Sequence, residues 1–458
     1  MKSLRPQSSN RCAALDGIVR PPWVARAPLL VALVTSLLLV ATLPARAQVK
    51  GEIVGPGATR MPIAVPELKP LGGFERSTEA REFIGVLRRD LEMSGLFRVI
   101  DPQAYIEDPA QMGLTPETVN FDNWTSIGAK ALVAGSYTGT AGGLTVEARF
   151  FDVGDHSSSG GRRLSGDASA AARLAHRMAD AVLEYVTGTA GPFDSRIAYV
   201  SNREGRMREI YVMTLDGKAQ RITHHNSITM APSWHPSGRA LLFTSFHDGR
   251  PSLYTVDITT GIDGRLASKL GVNVGGAWSP DGSRVLVARE TDGNTDIYEL
   301  APASQQSRRL TEHWGIDTDP TWSPDGSMFA LCSSRGGSPQ VYIMRPGSSD
   351  AQRVTFEGDY NCSPSWSPDG KWIAYSGRRG GNFQLFVIPA SGGRAVQLTE
   401  SGSNEDPTWA PDSRYLAFSS RRGGRRKIYM VDRTGRWEYP LTDGPSDDSS
   451  PSWSGRLN

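Results

Sequence analysis

TWSPDGSMFA, residues 321–330, is a phrase that this chain writes again and again. Downstream it reads SWSPDGKWIA (365–374) and upstream AWSPDGSRVL (277–286), with looser copies SWHPSGRALL (233–242) and TWAPDSRYLA (408–417). The chain ends on a fragment of it, SWSGRLN (452–458). The tryptophans stand at 234, 278, 322, 366, 409 and 453, in steps of 44, 44, 44, 43 and 44. A fixed period of this size is the mark of a repeat architecture.

One period, 318–355, divides into four short runs. TDPTWS ends in a tryptophan, and PDG supplies a turn in which Pro324 sets φ, Asp325 suits the next corner and Gly326 follows. SMFALCSS, QVYIMRP and QRVT are the remaining runs, separated by RGGSP and GSSDA. FALC and VYIM are apolar on consecutive positions, so such strands must be covered on both faces. Four-stranded units of this length stacked around an axis make a β-propeller. Full units begin near 230, 273, 318, 362 and 405, which makes five. A further set at 196–223 has three strands and lacks the tryptophan-bearing one, and PSWS (451–454) is that missing strand. The expectation is an all-β six-bladed propeller over 191–458, closed by its C-terminal strand, so that no edge is left open.

Ahead of the repeats, residues 1–47 carry scattered basic residues, the apolar run LLVALVTSLLLVATL (29–43) and then ARA (45–47). This is the pattern of a signal peptide cut between Ala47 and Gln48, since fifteen apolar residues fall short of the roughly twenty that span a bilayer. Cleavage removes six basic residues and one acidic, leaving 44 and 47 and a net charge of −3. A chain so balanced is not built for nucleic acid. Cys12 leaves with the signal, so Cys332 and Cys362 remain. They stand at non-equivalent places in neighbouring repeats; a bridge is open to them in an oxidising compartment, but two buried thiols are expected. Residues 48–190 lack the period and read as a small α/β domain. MPIAVPEL (61–68) and LFRVID (96–101) read as strands, and a helix capped by Ser77 runs to about Ser94 and stops at Gly95. A short helix leads into a strand at 125–137, a strand follows at 144–153, and a helix over 167–188 ends at Gly188.

The search for catalytic chemistry returns little. There is no G-x-S-x-G, no phosphate-binding loop, no dinucleotide fingerprint and no C-x-x-C. His224 and His225 are adjacent on an extended chain and point apart, so no shared metal is expected. Carboxylates gather just ahead of the expected inner strands, at Asp317 with Asp319, Glu405 with Asp406, and Asp447 with Asp448. Recurrence in equivalent loops fits a ring of charge around a channel mouth better than one acid/base couple. The second turns of the blades, on the same face, carry Arg335, Arg378, Arg379, Arg421, Arg422, Arg425 and Arg426. Such a face is either a docking surface or a self-neutralised, solvated rim.

The order of parts, the PxWSPDG repeats, MPIAVP (61–66), TGTAGPFDSRIAYVS (187–201) and the terminal PSWS together resemble the TolB family. Its members are periplasmic components of the Tol–Pal cell-envelope system of Gram-negative bacteria. The resemblance implies a protein that is not an enzyme, needs no cofactor or metal, does not itself span the membrane and links two partners for envelope integrity and constriction at division. The propeller face would bind the peptidoglycan-associated lipoprotein Pal, and the mature N-terminus would bind inner-membrane TolA. Other periplasmic or outer-membrane proteins are further candidates. The positions matching the family's Pal contacts are Val272, where the family can carry a histidine, Gly275 and Thr318. Asn273, Asp319, Asn361, Glu405 and Asp406 stand with them at the expected channel mouth. The TolA segment would comprise Gln48, Val49, Lys50, Glu52, Ile53 and Val54. The competing expectation is a secreted propeller enzyme or adaptor acting on glycans or peptides.

Overall fold

Each repeat folds as its turn chemistry dictates. In SPDG the Ser323 hydroxyl donates to Asp325 Oδ1 at 2.5 Å, the same oxygen accepts the Ser327 N–H at 3.0 Å, and Gly326 takes φ +69°. Those donors hold the Asp325 carboxyl down at about 2. The turn reverses Asp317–Trp322 onto Phe329–Ser333, which pairs with Gln340–Met344 and then Ala351–Arg353. Phe329, Ala330 and Leu331 are fully buried, as strands apolar on both faces require. The structure is a computed structural model that describes residues 60–72, 77–140, 142–266 and 273–457. The expected signal peptide (1–47), its cut between Ala47 and Gln48, and the expected TolA segment (48–54) lie outside the described residues.

Six such sheets form the propeller. Five follow chain order, and the sixth sets Asp448–Trp453 beside Arg196–Ser201, Glu209–Thr214 and Ala219–Arg221. The closing register pairs Ser452 with Ala198 and Trp453 with Ile197, so the last strand completes the first blade as expected. We number that blade one, with blades two to six beginning at Thr229, Asn273, Asp317, Asn361 and Asn404.

A polar pin repeats through the blades. Thr355 Oγ1 donates to Gln340 Oε1 (2.7 Å) and accepts the Val341 N–H (3.0 Å). Thr399 does the same with Gln384 and Leu385, Thr311 with Asp296 and Ile297, and Thr223 with Glu209 and Ile210. In these four blades the closing Thr therefore ties the outer strand to the third strand. The next inner strand joins the same pin, since Asn361 Nδ2 donates to Gln340 Oε1 at 2.8 Å and Asn404 Nδ2 to Gln384 Oε1 at 2.9 Å.

Cys332 and Cys362 are joined in a disulfide, with Cα atoms 5.0 Å apart, which corrects the expectation of two thiols. Their non-equivalence is the reason. One lies on the second strand of blade four and the other on the inner strand of blade five, and adjacent blades lay those two strands against each other.

The α/β region is a six-stranded mixed sheet with two long helices on one side. Helix α1 (Thr78–Met93) is capped by Ser77, whose Oγ accepts the Ala80 N–H at 3.2 Å, and Gly95 ends it at φ +69°. A short α2 (Phe121–Ser126) precedes Ala131–Thr140, and α3 (Ala171–Thr187) stops at left-handed Gly188. The strand Ser157–Asp167, SSSGGRRLSGD, was not expected, because it is polar and rich in glycine. It forms because its ladder with Gly143–Asp152 is made by backbone groups that need no apolar side chain. One core runs from α1 and α3 into the propeller, joining Phe83, Leu87 and Val182 to Phe193, Tyr415 and Trp453. Tyr415 Oη donates to the Ser94 carbonyl at 2.7 Å and Trp437 Nε1 to that of Met93 at 2.9 Å. Asp180 accepts the N–H groups of Phe193 (2.7 Å) and Asp194 (3.0 Å) at the joint. These contacts use the far ends of the inner strands and the turns beyond the third strands. The α/β region therefore covers the face opposite to the one on which the inner strands begin.

Candidate functional site

On that free face the inner strands converge. The third residue of each takes positive φ: Ala231 (51°), Gly275 (69°), Asp319 (49°), Ser363 (51°), Asp406 (56°) and Ser450 (50°). The ladder to the second strand skips at this point in every blade. In five blades the next residue is proline, which has no N–H for the ladder to lose. Where the neighbouring strand offers a hydroxyl, the displaced N–H turns sideways onto the preceding blade. Gly275 N donates to Thr244 Oγ1 (3.1 Å), Asp406 N to Ser376 Oγ (3.2 Å) and Ser450 N to Ser419 Oγ (2.9 Å). The third and fourth residues of the six strands line an axial channel with about 200 Å³ of room for water.

Two carboxylates enter this channel. Asp319 accepts the Ser363 N–H at 3.3 Å, and Asp406 accepts the Ser450 hydroxyl at 3.3 Å. Enclosure by the ring raises the Asp319 carboxyl above its usual range. The same enclosure, reinforced by the charges of Glu405 and Asp319, pushes Asp406 up to about 6. Asp319 nevertheless stays exposed and Asp406 half-buried in the channel.

The remaining expected ring of acid is largely neutralised by its rim. Asp317 is fully buried and receives Arg335 at 2.9 Å. Asp448, also fully buried, receives Lys427 at 3.1 Å and the Ser201 hydroxyl at 2.6 Å. Glu405 receives Arg426 at 3.0 Å. Gly275, Asp319 and Asp406 come together at the mouth, while Thr318, one residue before Asp319, pairs with Cys332 and is not part of the channel lining. Asn361 does not reach it: it is fully buried, and its amide donates to Gln340 and to the Glu357 carbonyl (2.9 Å). The first position of an inner strand turns into the blade, which spacing alone did not distinguish from the channel-facing third. Asn273 opens the inner strand of blade three, and Val272 lies outside the described residues.

A Ser–His–acid chain exists in blade two and does not read as catalytic. His225 Nδ1 lies 2.7 Å from Ser245 Oγ, and Nε2 lies 2.6 Å from Asp263 Oδ2. Ser245 is fully buried and its Oγ also takes the His247 N–H at 3.1 Å, so no substrate can reach the hydroxyl. Among the described residues, no group of three or more His, Cys, Asp or Glu is placed to hold a metal. Sequence reasoning missed the threonine pins and the left-handed third residue. The recurring Ile/Leu/Val-Thr and x-Pro pairs were the available signals.

Comparison with known proteins follows the same division. The family model described as the TolB beta propeller domain matches residues 183–457, and that of the TolB amino-terminal domain matches 50–158. The chain is 40% identical over 213 residues to the Tol-Pal system protein TolB of Syntrophotalea carbinolica, covering 46% of this chain and 49% of that one. It is 38% identical over 209 residues to that of Desulfosudis oleivorans, covering 45% and 48%. The chain thus spans about half the length of the curated relatives it matches. Among solved structures it is similar to TolB from Acinetobacter baumannii, with a TM-score of 0.77 and 27% identity over 87% of this chain and 97% of that one.

Proposed function

The chain belongs to the TolB family, and on that premise we propose that it is a periplasmic, non-enzymatic protein-binding component of the Tol–Pal system. It links Pal at the outer membrane to TolA at the inner membrane, and so supports envelope integrity and constriction at division. The mature chain begins at Gln48 after signal cleavage, its α/β domain runs to about residue 190, and the propeller fills 191–458.

The observation that carries this reading is the free face of the ring. Six inner strands begin there around a channel that holds Asp319 and Asp406, and the α/β region packs on the other side. A rigid scaffold presenting loops and an enclosed polar mouth suits recognition. Pal docks at this mouth against Gly275, Asp319 and Asp406, with the neighbouring Thr318 as a further contact. The segment 48–54 pairs with a sheet edge of TolA, and Pal binding governs its availability through a coupling free energy between two sites.

The test is a pull-down with residues 48–458 immobilised and solubilised envelope from the same cell passed over them. Retention of Pal, lost with Thr318→Arg, supports the mouth as the dock. Retention of nothing, or only of soluble enzymes and sugars, overturns it. Deleting 48–54 is expected to abolish TolA binding and leave Pal binding nearly intact; loss of both would sink the two-site scheme.

A further inference from the structure

The free face is electrically one-sided. Several of its rim arginines are matched, as Arg335 is by Asp317 and Arg426 by Glu405. Arg206 and Arg208, in the loop between the second and third strands of blade one, are not. Neither are Arg250, at the corresponding place in blade two, and Arg421, near the end of the second strand of blade six; Glu204, in the blade-one loop, faces Arg221 at 3.6 Å. All four are exposed, and among the described residues none has a carboxylate within ion-pair distance. Met207, 50% exposed, stands between the first two.

These loops form one surface. Arg426 N donates to Asp447 Oδ1 (3.0 Å), and Asp447 N donates to Asn202 Oδ1 (2.8 Å), so blade six is tied to blade one. Arg421 N donates to the Ser403 carbonyl (2.9 Å), and Phe383 N lies 3.4 Å from Ser403 Oγ, which ties blade six to blade five. Across the channel, the loop of blade three exposes Glu290 and Asp292 instead.

We infer that the unmatched guanidinium arc running from blade six through blade one to blade two is the electrostatic half of the docking face, and that its partner is a protein presenting an acidic surface there. This rests on the proposed docking of Pal at the mouth and adds how it is steered. A guanidinium without an internal partner loses no ion pair when it meets an external carboxylate, so the whole attraction goes into encounter and orientation. A protein surface fits better than an anionic bilayer. A uniformly negative plane laid over this face would meet Glu290 and Asp292 as well, whereas a protein can place its acid over one side only. Met207 adds an apolar contact within the arc.

The experiment measures association and dissociation rates of the soluble Pal domain with the mature protein across a salt series. The triple variant Arg206→Glu, Arg208→Glu, Arg421→Glu is expected to associate about tenfold more slowly at low salt, with a flatter salt dependence and a dissociation rate within about twofold. Its melting curve should match the wild type, because no internal ion pair is removed. Association at the wild-type rate with wild-type salt dependence overturns the inference and leaves the mouth intact as the dock. A wild type that does not bind Pal overturns both. If the triple variant instead loses co-sedimentation with phosphatidylglycerol-containing vesicles while Pal association is unchanged, the arc faces lipid and the inference fails.

Discussion

At the scale of the residue, the repeat is governed by a few polar atoms with fixed tasks. Thr355 serves as both donor and acceptor inside a closed blade, so Thr355→Val leaves Gln340 and the Val341 N–H each short of a partner. We expect a loss of about 1–3 kcal/mol in urea unfolding, with Thr355→Ser close to wild type. A loss in Thr355→Ser with Thr355→Val near wild type would mean that the methyl group, not the hydroxyl, matters. Asp406 makes a prediction about pH. Its carboxyl is raised from 3.8 to about 6 in the folded ring, so the folded state holds the proton more tightly than the unfolded chain. The contribution to stability is complete below about pH 4 and is lost as pH rises through about 6. Asp406→Asn should flatten the melting temperature over that window and raise it at pH 7.5. A variant that keeps the wild-type slope would remove Asp406 as its source.

Elements meet at a small number of tight points. Gly95 ends α1 at φ +69°, and a Cβ there would stand 2.4 Å from the Trp437 ring. Gly95→Ala therefore combines an unfavourable backbone with a clash against blade six, and should destabilise by about 1–3 kcal/mol or more. Gly128→Ala, at φ +78° with open space around it, tests the backbone cost alone and should be milder. Helix starts, stops and the turns of SPDG were legible in the sequence because they are settled within four or five residues. The strand Ser157–Asp167 was not, since its partner lies across a hairpin and its side chains carry no pattern. The mouth was legible as a place but not as a list of residues. Asn361 and Asp319 both belong to the start of an inner strand, and only the skipped ladder decides which one faces the channel.

For the whole molecule, closure is the controlling fact. A chain ending at Ser450 lacks the second half of the strand that completes blade one, including Trp453. It should lose its single cooperative melting transition, and an unchanged curve would refute the closure. The disulfide between blades four and five closes a 30-residue separation. Replacing Cys332 and Cys362 by serine should lower stability by about 3 kcal/mol, read as the difference in denaturant midpoint between oxidised wild type and variant. The sequence by itself determined the period, the blade count, the closing strand and the family. Each of these is written in local turn chemistry and apolar runs that repeat along the chain. Only the tertiary structure decided which cysteines meet, which acids are neutralised and which arginines stay free. Those outcomes depend on residues of different blades that sequence order keeps apart and that the ring brings side by side.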